Sequence, residues 1–298
     1  MKINMKKILI FTDSDLDGAG SALALKWVLP SNYNIKIIPT TVSKFRNELL
    51  DWLKTDKLSN YDLIFICDLD TTELHELIDF ENVYIIDHHE SHDPSIYKNC
   101  KIKIDACTST TQLIYKLFLE SKNISKEKLA LLKLIDDYDS FTLKYKQSKE
   151  LNIIYWNLTG NKVAKFIDMF INGFKGFDKF QNNTINLYYD KLKRILNNLQ
   201  LFKGEIIFNN KKYTCLSTFG ENCINDIGEY IYKNFNTDIV FIVNLKSNVV
   251  SIRKNNNCNI NLSEFAKFIG DGGGHKDAAG CPLNDKFLEL MKEFMPYE

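Results

Sequence analysis

The sequence predicts an α/β protein: a doubly wound, mainly parallel sheet domain, then a helical connector and a smaller α/β domain. Two observations carry this prediction. In the first half, short apolar runs rich in β-branched residues alternate with helix-like segments, the pattern of strands buried on both faces of a parallel sheet. After a long helical stretch, strands return in the last third. We therefore divide the 298 residues into segments 1–145, 146–203 and 204–298.

The predicted elements of the first segment follow the chain in alternation. Strands are expected at 8–12, 35–39, 63–67 and 83–86, and helices at 21–29, 44–53 and 72–79. In the third segment, strands are expected at 206–208, 213–217, 239–244 and 249–253, with a helix at 224–235. Ligands of doubly wound sheets bind outside the carboxyl ends of the strands, so functional side chains are sought there.

Composition narrows the function classes. A hydrophobic content of 45% can build a full core, and with a formal net charge of zero nothing global marks a protein that coats duplex nucleic acid. The seven cysteines form no Cys-x-x-Cys pair, so neither a zinc knuckle nor a disulfide framework is indicated. The apolar run 8–11 is followed too soon by acidic residues to be a signal sequence or membrane span. We expect a soluble, cytoplasmic protein.

Three carboxylates, Asp13, Asp15 and Asp17, follow the first predicted strand at alternate positions. Clustered carboxylates repel one another and would partly protonate unless a cation compensates them. Oxygen ligands with a histidine favour Mn²⁺ or Mg²⁺ over a thiolate-preferring metal. A calcium-binding EF-hand is excluded because a strand precedes the segment and Ala24 stands at the twelfth position, where that loop needs Glu.

Two further strand ends carry ligand-type side chains. Asp68 follows the third predicted strand, and Asp87-His88-His89 follows the fourth. The carboxyl ends of parallel strands share one sheet edge, so these residues are expected near the Asp13 segment. Of the other histidines, we expect His75 and His92 to be surface residues.

In order and spacing, these motifs resemble the DHH phosphoesterase superfamily. That group includes RecJ-type exonucleases, nanoRNases with pAp phosphatase activity, cyclic-dinucleotide phosphodiesterases and family II inorganic pyrophosphatases. The segment from Asp105 through Ser109 and Thr110 is similar to the helix start of its oligonucleotide-cleaving branch. The segment 134–141 is similar to a later motif whose Asp ends an apolar helix. Its ending favours Asp137, with Asp136 and Asp139 as rivals.

The resemblance implies a role for each site residue. Asp13 and Asp15 would hold one divalent ion, and Asp17, His88 and Asp137 the other. Asp68 would bridge the two ions. Asp87 would orient His88, the usual role of an acid beside a ligating histidine. His89 would face the scissile phosphate as charge stabiliser or proton donor. The implied cofactors are two divalent metal ions, with Mn²⁺ preferred and Mg²⁺ as the alternative.

A second signature lies near the C-terminus, where Gly272, Gly273 and Gly274 precede His275. Consecutive glycines let backbone N–H groups approach an anionic oxygen. Arg253, one of only three arginines, lies upstream on a predicted strand, and its planar fork can bind two phosphate oxygens. Together they resemble the C-terminal domain associated with DHH enzymes, in which such residues bind the substrate. Ser109 and Thr110 are further expected substrate contacts.

The predicted function is therefore hydrolysis of phosphodiester bonds in short single-stranded oligonucleotides or nucleotide phosphates, including nanoRNA, linear dinucleotides and pAp. Alternatives are a RecJ-like single-stranded DNA exonuclease and a cyclic-dinucleotide phosphodiesterase. Asp13 keeps the exonuclease open, since many small-substrate members have His there. A non-catalytic nucleotide-binding protein is a remote alternative from another class. No membrane partner is expected, and a homodimer is left open.

Overall fold

The computed structural model describes residues 5–89, 92–105, 108–274 and 276–297. The chain forms two compact units, the first extending to Ile185 and the second beginning at Asn186. Each unit has its own sheet and its own buried core. The predicted α/β class with a parallel sheet, a helical stretch and a smaller second α/β part is confirmed. The predicted division at residues 145 and 203 stays a prediction.

The first unit is built on a five-stranded sheet in the order β2-β1-β3-β4-β5, with every neighbouring pair parallel. The strands are β1 (Lys7–Asp13), β2 (Asn34–Thr40), β3 (Leu63–Cys67), β4 (Val83–Asp87) and β5 (Lys101–Ile104). The order reverses between β1 and β3, which is where doubly wound sheets open their ligand crevice. The strand ends that carry the acidic motifs therefore lie at that edge.

Helices cover both faces of this sheet and continue beyond it. They are α1 (Leu16–Val28), α2 (Val42–Leu53), α3 (His75–Ile78), α4 (Thr110–Ile114), α5 (Lys126–Asp139), α6 (Lys146–Asn157), α7 (Lys162–Phe170) and α8 (Lys179–Asn197). Short 3-10 helices lie at Leu58–Asn60, Thr72–Leu74 and Pro94–Ile96, and a π-helical turn at Tyr115–Leu119 continues α4. The boundary between the two units falls within α8.

Strand β1 shows why the sheet is buried on both sides. Ile8 and Ile10 belong to the cluster that packs against α1, whereas Leu9 and Phe11 belong to the cluster around α2. Successive side chains of a strand point to opposite faces, so an uninterrupted apolar run serves both layers.

Helix α1 begins five residues earlier than the sequence predicts, at Leu16. Its first turns contain Gly18 and Gly20, which are poor helix formers. A side chain at Gly18 would place its Cβ 2.1 Å from the carbonyl oxygen of Asp13, and one at Gly20 would lie 2.5 Å from Oγ1 of Thr111. Close packing against Asp13 and Thr111 explains both glycines. Because glycine is a poor helix former, helix propensity does not show that the helix begins here.

Strand β5 was not predicted. Its four residues alternate lysine with isoleucine and form the edge of the sheet, so the segment has too few apolar residues for recognition from sequence. The other four strands of the first sheet match their predicted positions to within one residue at each end.

The second unit has a seven-stranded sheet in the order β10-β11-β9-β8-β7-β6-β12. Its strands are β6 (Phe202–Phe208), β7 (Lys211–Phe219), β8 (Ile239–Asn244), β9 (Val249–Lys254), β10 (Gly273–Gly274), β11 (Ala278–Pro282) and β12 (Met295–Pro296). Its helices are α9 (Ile224–Asn234), α10 (Leu262–Gly270) and α11 (Asp285–Met291). Only β7 and β8 pair in parallel among these described strands.

Among the described residues, no helix combines the length and apolarity that crossing a membrane requires.

Candidate metal centre and active site

The first three acids lie where β1 ends and α1 begins. Asp13 is the last residue of β1, and the Asp13 side chain accepts a 2.5 Å hydrogen bond from the Ser14 backbone N–H. Asp15 is the N-cap of α1, and its Oδ1 accepts from the Gly18 N–H at 2.9 Å. Asp17 lies inside the first turn of the helix. The acids are therefore fixed by a strand-to-helix turn, and not presented from an open loop.

Asp17 is buried, and the start of α4 satisfies its carboxylate. The backbone N–H groups of Thr110 and Thr111 donate to its two oxygens at 2.7 and 2.9 Å. The Thr111 hydroxyl also donates to the Asp17 carbonyl at 2.9 Å. Peptide N–H groups at a helix start favour an anion, so this contact partly offsets the cost of burying the charge of Asp17.

Asp68 lies directly after β3 in the left-handed region of backbone conformation, with φ of 60°. A non-glycine residue rarely adopts this conformation, and such strain is concentrated at functional sites. Oδ1 of Asp68 lies 3.2 Å from Nε2 of His88 and accepts from the Thr110 hydroxyl at 3.3 Å. The unusual backbone directs the carboxylate into the group formed by the neighbouring strand ends.

Asp87 ends β4 and contacts two imidazoles. Its Oδ1 lies 2.7 Å from Nδ1 of His89, and its Oδ2 lies 2.7 Å from Nδ1 of His92. The backbone N–H of His88 also donates to Oδ1 at 2.9 Å. We predicted that Asp87 orients the imidazole of His88. In the structure it contacts only the backbone of His88, because the chain turns after β4 and carries the His88 side chain toward Asp68.

The last predicted ligand, Asp137, is directed away from the other acids. Its carboxylate accepts from the hydroxyls of Thr142 and Ser148 and from the N–H groups of Lys144 and Tyr145, at 2.6–3.1 Å. It therefore holds the turn into α6. Oδ2 of the rival Asp139 lies 3.6 Å from Nε2 of His88. The preference for Asp137 is corrected, because two residues along α5 rotate a side chain to another face of the helix.

The ligand-type atoms form three groups, each within 4.8 Å. The groups are Asp13, Asp15 and Asp68; Asp17, His88 and Asp139; and Asp68, His88 and His89. Asp68 belongs to two groups that share no other carboxylate. Oδ2 of Asp139 is buried and has no hydrogen-bond partner among the described residues. Oxygen-rich donors with imidazole nitrogen, and an unpartnered buried carboxylate oxygen, fit hard divalent cations.

The electrostatics of the group support the same interpretation. Burial raises the pKa of Asp13 to about 7 and that of Asp139 to about 9, and neighbouring carboxylates add to both shifts. Burial and the charge of Asp17 raise the pKa of Asp68 well above its usual range. Burial opposes ionisation of Asp87, but hydrogen bonds from His89 and His92 outweigh it and lower its pKa. The crowded acids Asp13, Asp68 and Asp139 need bound protons or cations to compensate their charge, whereas the hydrogen bonds of Asp87 already stabilise its ionised form.

His89 responds to Asp87 in the opposite sense. Burial disfavours its protonated form, but the hydrogen bond and the charge of Asp87 outweigh burial and raise the pKa of His89. The imidazole therefore takes up a proton more readily than an ordinary histidine. This suits a group that faces a phosphate.

Ser109 and Thr110 do not have the positions expected of substrate contacts. Both are fully buried. The Ser109 hydroxyl accepts from the Gln112 N–H at 3.1 Å and caps α4, while Thr110 contacts Asp17 and Asp68. Their contacts position the carboxylates. The substrate role predicted for these two residues has no support in this geometry.

In the second unit, the glycine motif forms β10 at the edge of the sheet. A Cβ at Gly272 would lie 2.1 Å from the Gly280 carbonyl oxygen, and Gly274 has φ of 140°, so both positions require glycine. A Cβ at Gly273 would meet no described atom within 4 Å. Among the described residues, nothing occupies the space beside Gly273, so the backbone there is open to a ligand. His275 lies outside the described residues.

Arg253 lies on β9, which is separated from β10 only by β11. Its guanidinium donates to the Ile252 carbonyl at 2.8 Å and to Oδ1 of Asn225 at 2.6 Å. A Cβ at Gly228 would lie 2.9 Å from Cγ of Arg253, so a neighbouring helix packs against its stem. Arg253 thus has a fixed orientation on the same sheet as the glycine motif.

Sequence reasoning missed His92. Only 4% of its surface is exposed, whereas we expected a surface residue. It lies five positions after Asp87, and nothing in that spacing shows that the chain folds back to pair them. A signal was nevertheless present, since the segment around His92 contains three histidines within five positions.

Comparisons with known proteins agree with this architecture. The family model described as "DHH family, N-terminal domain" matches residues 7–135. No curated protein matches the chain. Among solved structures, the pGpG-specific phosphodiesterase PggH from Vibrio cholerae aligns with a TM-score of 0.58 and 16% identity, covering 96% of each chain.

Two further structures show the same fold. An exopolyphosphatase-related protein from Bacteroides fragilis aligns with a TM-score of 0.55 and 16% identity, covering 96% of this chain and 89% of that one. RecJ from Thermus thermophilus, solved in complex with Mn²⁺, aligns with a TM-score of 0.57 and 14% identity, covering 96% of this chain and 51% of that one. At these identities, the likeness concerns the fold.

Proposed function

We propose that the chain, whose residues 7–135 match the family model for the DHH N-terminal domain, is a metal-dependent phosphoesterase that cleaves phosphodiester bonds of short oligonucleotides. The substrates are nanoRNA and linear dinucleotides, with pAp as a further candidate. The observation that carries the proposal is the convergence of five acids and His88 at one sheet edge, in groups whose ligand atoms lie within 4.8 Å. The substrate class agrees with the phosphodiesterase and exonuclease named among its structural neighbours.

Two divalent ions, preferably Mn²⁺ and alternatively Mg²⁺, fit the group of Asp13, Asp15 and Asp68 and the group of Asp17, His88 and Asp139. Asp13 and Asp15 would hold one ion, and Asp17, His88 and Asp139 the other. Asp68, a member of the first group, would also contact the second ion, since its Oδ1 lies 3.2 Å from Nε2 of His88. Support comes from the membership of the groups and from the buried, unpartnered oxygen of Asp139. The RecJ structure solved with Mn²⁺ supports the choice of metal.

Bound divalent ions would polarise the phosphate and lower the pKa of the attacking water. The chain supplies the remaining functions. His89, held at Nδ1 by Asp87, stabilises charge on the phosphate or gives a proton to the leaving oxygen. Asp17 and Asp68 are buried, and electrostatic contacts are stronger where water is excluded.

The first unit also has an exposed tryptophan that could stack against a nucleobase of the substrate. Trp156 is 52% exposed, and Nζ of Lys162 lies 4.2 Å from its ring centroid. The adjacent Tyr155 is buried, and its hydroxyl donates to the carbonyl of Ser14, between Asp13 and Asp15, at 2.5 Å. The rings of Tyr155 and Trp156 have centroids 5.6 Å apart. Trp156 therefore offers an exposed aromatic ring next to a residue that contacts the turn carrying Asp13 and Asp15.

The second unit is proposed to bind a phosphate group. Arg253 has a fixed guanidinium, and Gly273 leaves backbone accessible to an anionic oxygen. His275 is assigned to the same role by its place directly after the glycines.

The proposal is tested by incubating the protein with Mn²⁺ and four substrates in parallel. They are pAp, a 5′-phosphorylated dinucleotide, a cyclic dinucleotide and a long single-stranded DNA. We expect the dinucleotide to have the highest kcat/KM. Asp68→Asn is the matched inactive control, because it keeps the shape of the side chain but removes the charge shared by the two groups. If none of the four substrates is hydrolysed, the proposed phosphoesterase activity is refuted.

A RecJ-like single-stranded DNA exonuclease is the second candidate. Asp13 favours it, because many small-substrate members have histidine at this position. Preference for the long DNA strand in the same assay would establish this candidate in place of the first. Preference for the cyclic dinucleotide would instead identify a cyclic-dinucleotide phosphodiesterase.

A further inference from the structure

His92 lies in a closed set of hydrogen bonds behind the proposed active site. Its Nδ1 lies 2.7 Å from Oδ2 of Asp87, whose other oxygen lies 2.7 Å from Nδ1 of His89. One carboxylate is thus held between two imidazoles. His92 itself is not in any of the three ligand groups found among the described residues, so any effect it has on chemistry passes through the residues it contacts, of which Asp87 also contacts His89.

The far side of His92 is anchored as well. Its Nε2 lies 3.0 Å from the Thr71 hydroxyl and 3.2 Å from the Tyr97 hydroxyl, and those two hydroxyls lie 2.7 Å apart. Thr71 is fully buried, and it follows β3 on the segment that also carries Asp68. His92 therefore links the connection after β3 to the end of β4, the two places that present Asp68 and Asp87.

The protons of this set can be assigned consistently. Asp87 is an acceptor only, so both imidazoles donate their Nδ1–H to it. A neutral His92 then has a lone pair at Nε2, which accepts the Thr71 hydroxyl proton, and the Tyr97 hydroxyl donates to Oγ1 of Thr71. Every buried polar atom of the set has a partner of the right kind. Such fully satisfied networks fix one geometry, because any rotation leaves a buried group unpaired.

We propose that His92 is a positioning residue for the hydrolysis, acting through Asp87 on His89. By holding Oδ2, it leaves Oδ1 of Asp87 directed at Nδ1 of His89, and this fixes the tautomer and ring plane of His89 toward the scissile phosphate. The inference rests on the proposed function and adds to it a residue that contacts neither metal nor substrate. Partners of this type orient the residues they contact, and losing one typically costs about 10–100-fold in activity.

Two substitutions separate positioning from simple support of the fold. His92→Leu removes both ring nitrogens while filling much of the space. His92→Asn retains a side-chain N–H near the position of Nδ1 and can still donate to Asp87. We expect His92→Leu to lower kcat at least about tenfold with KM for a dinucleotide within about twofold, and His92→Asn to recover most of that loss.

His75 provides the matched control. It lies close to the same set, with its ring centroid 6.2 Å from that of Tyr97, but its Nδ1 contacts the backbone carbonyl of Thr72. His75→Gln should leave kcat and KM unchanged. Thermal unfolding is measured for all variants, and kinetics are compared at a temperature where each is folded.

NMR of the imidazole rings does not depend on activity, so it tests this inference separately from the proposed function. In metal-free protein, ¹⁵N NMR of the imidazoles should show His89 protonated at Nδ1 in the wild type and in His92→Asn. In His92→Leu the ring signals of His89 should shift or broaden. If the wild type shows this tautomer but hydrolyses no phosphodiester, the proposed function fails and the positioning stands. An unchanged His89 spectrum and unchanged kcat in His92→Leu would overturn the positioning role.

Discussion

Oδ2 of Asp139 lies 3.6 Å from Nε2 of His88, whereas the carboxylate of Asp137, two residues earlier, is bound by four donors at the start of α6. The two acids of one helix end thus have separate tasks. Asp139 completes the metal-type group, and Asp137 fixes the turn that follows. The substitutions that distinguish them give the first prediction.

Asp139→Asn should lower activity by at least about 100-fold and weaken binding of one Mn²⁺ ion, because a neutral amide is a poor ligand for a hard cation. Asp137→Asn should instead lower the free energy of unfolding by about 1–3 kcal/mol through loss of buried hydrogen bonds, with Mn²⁺ affinity intact. Calorimetric Mn²⁺ titration and urea unfolding measure both effects. A reversed pattern would restore Asp137 as the ligand.

The stability of the metal-free protein should depend on pH in an unusual direction. The pKa values of Asp13 and Asp139 in the folded state, about 7 and about 9, lie above the ordinary 3.8 of the unfolded chain. Between these values the folded state binds more protons than the unfolded state, so stability falls as pH rises from about 4 to about 9. Well below a pH of about 4, both carboxyls are protonated in the folded and the unfolded state, so their contribution to the free energy of unfolding no longer changes with pH.

Mn²⁺ should remove this dependence, because the cation takes the place of the protons on these carboxylates. Urea unfolding midpoints in chelator and in Mn²⁺ at several pH values test the prediction, with Asp139→Asn as the control that removes the contribution of Asp139 and leaves that of Asp13. A metal-free midpoint that climbs between mildly acidic and alkaline pH would contradict it.

Adjacent glycines of the second unit provide a matched pair. Gly272→Ala should destabilise the protein by about 1–3 kcal/mol, because its methyl would lie 2.1 Å from a backbone oxygen. Gly273→Ala should leave the thermal midpoint unchanged, since its methyl meets no described atom within 4 Å. It should nevertheless raise KM several-fold if an anion binds against this backbone. Unchanged KM in a stable Gly273→Ala variant would remove the glycine motif from the binding site.

Trp156 tests whether a nucleobase is recognised. Trp156→Ala should raise KM for a dinucleotide about tenfold, because stacking on an aromatic ring contributes about 1–3 kcal/mol per base. Trp156→Phe should retain most of the affinity. A dinucleotide with an abasic sugar beside the scissile phosphate is the control substrate, and its KM should not respond to either substitution. An equal loss on the abasic substrate would show that Trp156 does not stack a base.

The sequence by itself determined the α/β architecture and the neighbourhood of the site. Buried apolar runs alternating with helices require a parallel sheet, and parallel strands place Asp13, Asp68 and Asp87 at one edge whatever the details of packing. The same reasoning identified His88 as a ligand-type neighbour of Asp68, and the structure places them 3.2 Å apart.

Only the tertiary structure decided which atoms meet. The helical phase at the end of α5 selects Asp139 over Asp137, and residue spacing alone does not give that phase. The early start of α1 depends on close contacts of Gly18 with the backbone of Asp13 and of Gly20 with the side chain of Thr111, which outweigh the low helix propensity of glycine. Buried His92 contacts Thr71, after β3, and Asp87, at the end of β4, which are distant from each other in the sequence. Local sequence sets which side chains are available, but long-range packing sets their directions, and metal binding and catalysis depend on direction.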